Sequence, residues 1–351
     1  MTNTASNVKS VASASILASV FGTVIAPKVQ GKELLVVGAS TAGLLAHFAP
    51  SQAQLLEPER RRTRAAQRLL DSVAGDGSTP TISWKVTDAS LQNLRLSRQG
   101  ADEIIARHRV LDWESHCLLA EELQSRANAK PFIEKYSCPI VLLDLVANRV
   151  DAAAWGEAMR EAYRVVALHG SVMLTALVAD APMHERVITQ PQIYEGDLFF
   201  PTEQALLASV TAAGFYGMQI EYLSEQAVDT IAGVEVRAVV LSAKKGKEGV
   251  CLDQGHAVVY LGPWSAVEDD DGHRYVRGTR AAVCAKTYGL LMQEPYRGEF
   301  VGVNPPALLP LENAPFFDCN TPATRAVEIT RGERTVTGEA PSQACGDSGC
   351  C

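Results

Sequence analysis

The sequence predicts a doubly wound α/β sheet that carries a helical insertion and is followed by a small C-terminal α+β module. Three observations predict it. Short apolar strands alternate with helical patterns over residues 31–245, the arrangement of strands joined by helical crossovers. Pro139 to Val146 is an almost continuous apolar run bounded by polar residues, as a strand buried on both faces requires. Lys244-Lys-Gly-Lys-Glu-Gly249 then interrupts the pattern as a polar linker, and short alternating strands follow it.

Taken in order, Lys32 to Gly38 is a buried strand opening into a small-residue turn, Ala39-Ser-Thr-Ala-Gly43. Gln52 to Glu57 is a second strand, Arg60 to Val73 a helix, and Thr81 to Val86 a third strand ending at Thr87-Asp88. The insertion, 94–135, is largely helical in pattern and suits a lid or cap. After the central strand, Asp151 caps a helix whose Trp155, Met159, Ala162, Tyr163 and Val166 share one face, closing at His169-Gly170. Ser171 to Val178 is the next strand, and Thr202 caps a helix stopped by Gly214. Phe215 to Leu223 and Val234 to Ala243 are expected to pair as an antiparallel edge.

Beyond the linker, a module over 250–330 contains strands His256 to Leu261 and Arg280 to Ala285, with Asp269-Asp-Asp-Gly272 as the turn between them. The turn lacks the oxygen spacing and the glutamate of a calcium loop. Residues 331–351 read as a disordered tail ending Cys345-Gly-Asp-Ser-Gly-Cys350-Cys351, and 1–30 as an N-terminal helix or arm. Val11 to Ala26 is apolar and small, so it reads either as a helix packed on the body or as a signal segment.

Composition limits the function classes. The net charge is -8, which argues against a broad nucleic-acid footprint. No segment makes a convincing membrane span. Eight cysteines in 351 residues are too sparse for a disulfide scaffold and read as reduced thiols of a cytoplasmic protein.

A strand ending in Gly38, a small-residue turn, a helix and then Glu57 at the end of the next strand form the layout of an adenosine-binding fold, with the acid placed on the ribose hydroxyls. A strand-to-helix turn with no ligand is the other reading. Asp88 is placed either to accept from an adenine amine or to cap a helix. The tail cysteines are soft ligands that suit a thiophilic element better than Mg²⁺ or Ca²⁺, or are simply part of a disordered terminus.

The block Glu157-Ala-Met-Arg-Glu-Ala-Tyr-Arg-Val-Val166 resembles the helix before the fifth strand of class I S-adenosylmethionine methyltransferases. Asp197-Leu-Phe-Phe200, Cys251 ahead of Ala257-Val-Val-Tyr260, Ala282-Val-Cys284-Ala-Lys-Thr-Tyr288, Phe317-Asp-Cys319 and the Cys-Cys terminus resemble arsenite methyltransferases. The resemblance implies a seven-stranded class I methyltransferase-like sheet and S-adenosylmethionine as cofactor. It places the cofactor on Gly38, Ala39, Ser40, Gly43, Glu57, Asp88 and Leu143, and the acceptor, a small-molecule or metalloid substrate carried free or thiol-bound, on Cys251. Cys251 is the implied metalloid ligand, with Cys138 and Cys117 as candidate catalytic thiols or as small buried hydrophobes.

The chain also departs from that family. Val36 stands where an acid anchors the cofactor loop, Ser40 and Ala42 replace two loop glycines, and Ile193 occupies the region of a second substrate cysteine. Three functions therefore stand: a methyltransferase acting on trivalent arsenic or a related thiophilic acceptor, a catalytically silent relative that binds a metalloid or partner, and a small-molecule methyltransferase with a diverged acceptor.

Overall fold

In the computed structural model, described for residues 19–38, 48, 51–56, 68, 84–87, 95–183, 199–231, 233–246, 249–321 and 323–338, chain contacts separate two units, Met1–Lys245 and Gly246–Cys351. The first is built on one mixed sheet. Its strands are β1 (Glu33–Val37), β2 (Gln52–Leu56), β3 (Trp84–Thr87), β4 (Cys138–Asp144), β5 (Val166–Ala179), β6 (Tyr216–Leu223), β7 (Asp229–Ile231) and β8 (Val234–Lys244). They lie in the order β3-β2-β1-β4-β5-β8-β6, and β7 adds to β8. The strands from β3 to β5 pair in parallel, while β8 is antiparallel to both β5 and β6. This is the doubly wound sheet that the sequence predicts.

Alternate residues of each strand feed two cores, as the two-residue strand period dictates. Leu35, Val37, Val141, Leu143, Val172 and Leu174 face one. Leu34, Val36, Ile140, Leu142 and Met173 face the other. On the first face, helix α3 (Ala152–Val165) buries Trp155, Ala158, Met159, Ala162 and Val165 at helical spacing. Its indole nitrogen donates to Ser209 Oγ, 2.8 Å, in helix α4 (Glu203–Ala212). On the second face, residues 19–29 are helical and Phe21, Ile25 and Val29 are fully buried. The segment 11–26 thus contributes its described part to the core of the sheet.

The predicted caps hold. Asp151 Oδ1 accepts from Ala154 N at 2.9 Å and Thr202 Oγ1 from Ala205 N at 3.2 Å. The insertion supplies helix α1 (Arg98–Ile105) and helix α2 (Trp113–Ala129), the second opened by a capping box between Asp112 and Ser115. Its ends are tied to α3: Arg95 Nε donates to Glu161 Oε1 at 2.9 Å, and an Arg164 guanidinium nitrogen donates to Ile133 O at 2.9 Å.

Two expectations need correction. Helix α3 closes at Val165, because Val166 leaves helical geometry (ψ 131°). β5 therefore starts at Val166, and His169-Gly170 lies inside it, where the register against β4 shifts. A Cβ on Gly170 would come within 2.7 Å of Pro139 O, so glycine serves close strand approach here rather than a helix end. The expected antiparallel edge is present: β6, half-exposed, ends the sheet and pairs with β8, which is largely buried between it and β5. The helix expected over 60–73 lies outside the described residues apart from position 68, which is helical.

The second unit is small. β9 (Ala257–Tyr260) is flanked by β12 (Arg280–Ala282) and β13 (Phe300–Val303), both antiparallel to it. A hairpin of β10 (Ala266–Glu268) and β11 (Arg274–Val276) carries the Asp269–Gly272 turn, which therefore closes this inserted hairpin and does not join β9 to β12 directly. Helices α5 (Ala285–Leu291) and α6 (Val327–Thr330) complete it. Val258, Tyr260, Tyr275, Val283, Leu291 and Phe300 form its core. Arg325, almost fully buried, holds the unit together from its end: its terminal nitrogens reach Asp253 Oδ1 and Oδ2 at 2.8 and 2.9 Å, and Nε donates to His256 O at 3.0 Å. The tail cysteines Cys345, Cys350 and Cys351 lie outside the described residues.

Candidate functional site

Two places in the molecule bring polar chemistry together, one in each unit. The first is the carboxyl edge of the large sheet at β1 and β4, where the strand order reverses and doubly wound folds leave a ligand crevice. Gly38 ends β1 with φ +90°, donating its N–H to Leu56 O at 2.9 Å. A Cβ on it would stand 2.6 Å from Asp144 O. The position admits glycine alone without distortion, for both reasons.

Beside it, β4 ends in Asp144, buried, which accepts from Thr175 Oγ at 2.8 Å. Leu145 follows with φ +53°, a left-handed conformation costly for a branched residue, and its N–H is held by Thr175 Oγ1 at 3.0 Å and Thr175 O at 3.1 Å. Asn148 is buried as well. Its amide donates to Leu177 O and Phe199 O, both at 2.7 Å, and its oxygen accepts from Leu177 N at 2.8 Å. Sequence reading missed Asp144, Leu145, Asn148 and Thr175; the only trace was polar residues interrupting buried strands.

Of the predicted cofactor residues, Gly38 stands at this edge. Leu143 pairs with Val37 and Leu174 and turns its side chain into the α3 core. Ala39, Ser40, Gly43, Glu57 and Asp88 lie outside the described residues. Val36, in place of the family's acid, is fully buried on the opposite face among Phe21, Ile25 and Val29.

The second place is a group of three thiols. Cys251, Cys284 and Cys319 form no disulfide, are buried, and have Sγ atoms all within 4.8 Å of one another. Their meeting follows from local pairings of irregular segments. Phe317 N donates to Cys251 O at 2.9 Å, Leu252 bridges Phe316 in antiparallel fashion, and Ala285 N donates to Leu252 O at 2.9 Å. Cys284 is the N-cap of α5, and its sulfur receives Thr287 N at 3.4 Å and stands 3.3 Å from Thr287 Oγ1.

Donors converging on one sulfur separate the acidities. Hydrogen bonds from Cys251 and then Cys319 hold Cys284 far below the ordinary thiol range, against the cost of burial, so Cys284 carries the charge. Its donor Cys251 is pushed up to about 12, chiefly by that hydrogen bond to Cys284. Lys286 supplies a smaller opposing field at Cys251. A cavity of about 370 Å³ opens onto the group and is lined by Cys284, Cys319, Thr287, Phe317 and Tyr275 among others.

The sulfur neighbours of Cys251 are Cys284 and Cys319, both of which stood in quoted motifs but were not connected to it. Cys117 lies in α2 and Cys138 opens β4, both in the first unit. Burial raises the Cys138 thiol above its ordinary value. A second acidic group, Asp269, Asp271 and His273, is a satisfied turn. Asp269 Oδ1 accepts from Asp271 N and His273 N at 3.1 and 2.9 Å, and Oδ2 meets His273 Nδ1 and Tyr275 Oη, each at 2.9 Å.

With the geometry in place, comparison with known proteins adds the following. A family described as "Domain of unknown function (DUF8838)" matches residues 247–335. No curated protein matches the chain. Among solved structures, an arsenic(III) S-adenosylmethionine methyltransferase from Chlamydomonas reinhardtii is 15% identical, covering 85% of this chain and 89% of its own, with a TM-score of 0.42. A S-adenosylmethionine-dependent methyltransferase from Methanosarcina mazei is 13% identical over 62% of this chain and 95% of its own, TM-score 0.39. No helix among the described residues is long and apolar enough to cross a membrane.

Proposed function

We propose that this chain is an S-adenosylmethionine-dependent methyltransferase acting on trivalent arsenic or a related thiophilic acceptor. The observation that carries the reading is the glycine-only end of β1 at the switch point, where Gly38 closes against Asp144 O. That backbone fits an adenosyl cofactor, since a side chain there would block the turn that opens the crevice. Gly38 would lie under the methionine portion, with Ala39, Ser40 and Gly43 beyond it, and Glu57 and Asp88 would take the ribose and adenine. When bound, the cofactor supplies an electrophilic sulfonium methyl group.

The work left to the chain is positioning. A trivalent arsenic centre carries a lone pair, so no general base is required. Holding the acceptor and excluding water can supply several orders of magnitude. Cys251 is the thiol that the reading gives to the acceptor, and its burial keeps the sulfur from water. Calorimetric titration of S-adenosylmethionine into the full chain tests the cofactor half: saturable heat is expected, and its absence with the fold intact removes the reading. Mass spectrometry of arsenite incubations, with a methylated product expected, tests the acceptor half.

One observation favours a second reading, a methyltransferase-like protein that binds the metalloid without transferring methyl groups. Val36 points into a closed apolar core, so the cofactor loop lacks its acidic anchor. An acid there would be buried without a partner. Saturable metalloid binding with no methylated product and no cofactor heat would select it.

A further inference from the structure

Three buried thiols from three separate segments call for an explanation beyond apolar filling. A buried cysteine behaves by default as a small hydrophobe, and apolar filling would not gather three sulfurs against one another. Nor would it aim a backbone N–H and place a hydroxyl, both of Thr287, at one of them. The three form no disulfide, and an odd number cannot be consumed in disulfides within the group. An open cavity of about 370 Å³ is lined by Cys284 and Cys319, whereas Cys251, as buried as Cys284, is not part of its lining.

The donor set limits the occupant. Sulfur-only ligation selects a soft centre over Mg²⁺ or Ca²⁺. Zinc in a structural site takes four ligands in a tetrahedron, and among the described residues no fourth histidine, cysteine or carboxylate joins the three sulfurs. Charge points the same way. Three thiolates around a trivalent centre sum to zero, whereas the same three around a divalent cation bury a net negative charge, which is costly away from water.

We propose that Cys251, Cys284 and Cys319 form a three-coordinate thiolate site for a trivalent metalloid, complete within the second unit and loaded through the cavity that Cys284 and Cys319 line. It deepens the acceptor half of the proposed function by naming its ligands, and it needs neither cofactor nor methyl transfer. Loading with arsenite is an exchange: three As–O bonds break and three As–S bonds form. A sulfur that arrives as a thiol gives its proton to one departing hydroxide, which leaves as water, and one that arrives as a thiolate displaces hydroxide itself; neither arsenic nor sulfur changes oxidation state. Cys284 and Cys319 meet the incoming element first, and Cys251 closes the pyramid.

The test uses the full reduced chain with Cys345, Cys350 and Cys351 replaced by serine, titrated with arsenite in the absence of S-adenosylmethionine. X-ray absorption at arsenic is expected to report three sulfurs and one equivalent bound. Cys251→Ser, Cys284→Ser and Cys319→Ser should each leave two sulfurs and weaken binding by about tenfold or more. Because a variant can fail to fold, the sulfur count of the parent stands as an independent readout. Fewer than three sulfurs in the parent would overturn the site, as would a three-sulfur shell that survives Cys284→Ser and Cys319→Ser, or displacement of the arsenic by equimolar Zn²⁺. Failure of the cofactor titration would leave this result untouched, so the two readings fail separately.

Discussion

At the carboxyl edge of the large sheet the buried polar side chains are engaged by the fold: Asn148 spends its amide on Leu177 and Phe199 backbone, and Thr175 spends its hydroxyl on Asp144 and Leu145. In the second unit the buried sulfurs face chiefly one another and an open cavity. The first region stores its order in backbone geometry, including a left-handed Leu145. The second concentrates reactivity in side chains set on irregular segments. A site made of backbone can carry many ligands but tolerates little change in its frame, whereas a site made of sulfurs depends on a few atoms being brought together.

The largest expected effect lies in the frame of the sulfur site. Arg325→Ala removes a buried guanidinium from Asp253, leaving that carboxylate without its partner two residues from Cys251. Loss of about 3–5 kcal/mol in denaturant unfolding is expected. A loss near zero would mean that the thiols hold their own positions, and the contrast between the regions would dissolve. Next is Gly38→Ala, which forces a Cβ against Asp144 O at a positive φ. About 2–4 kcal/mol should be lost from the first unit, with arsenite binding by the second unchanged. Asn148→Ala should cost about 1–3 kcal/mol by the same measurement, since it strands backbone groups of β5 and the 199 segment.

The smallest effect sharpens the comparison through pH. Cys284 has its folded value depressed below the ordinary 9.0, so its stabilisation is present above that value and is lost as pH falls toward the folded one. Cys251 is raised from 9.0 to about 12, so its stabilisation is full below 9.0 and is lost as pH rises toward 12. The stability difference between the parent and Cys284→Ser should therefore grow from acid to about pH 9 and shrink above it. The far-ultraviolet thiolate band should show one thiolate persisting in mild acid and absent from Cys284→Ser. A band that titrates as an ordinary thiol would refute the shared-proton arrangement.

The two regions also differ in how far the sequence discloses them. The sheet is legible because burial on two faces and the caps Asp151 and Thr202 leave periodic marks in the chain. What the sequence does not disclose is long-range: that β8 lies between β5 and β6, and that β5 extends back to Val166 because Gly170 lets the strand run close to Pro139. No local period encodes either. The sulfur group was half legible. Cys251, Cys284 and Cys319 each fall in recognisable motifs, but what joins them is pairing between irregular segments, Leu252 with Phe316 and Ala285 with Leu252. Cysteine spacing along the chain carries no trace of that pairing, which made Cys117 and Cys138 as plausible a set on paper.

All three sulfurs lie within residues 246–351, a stretch that a single family spans over 247–335. A pocket of that kind takes all its ligands from one stretch of chain. Moving that stretch as a whole would move every sulfur with it, and a substitution in the first unit would remove none of them.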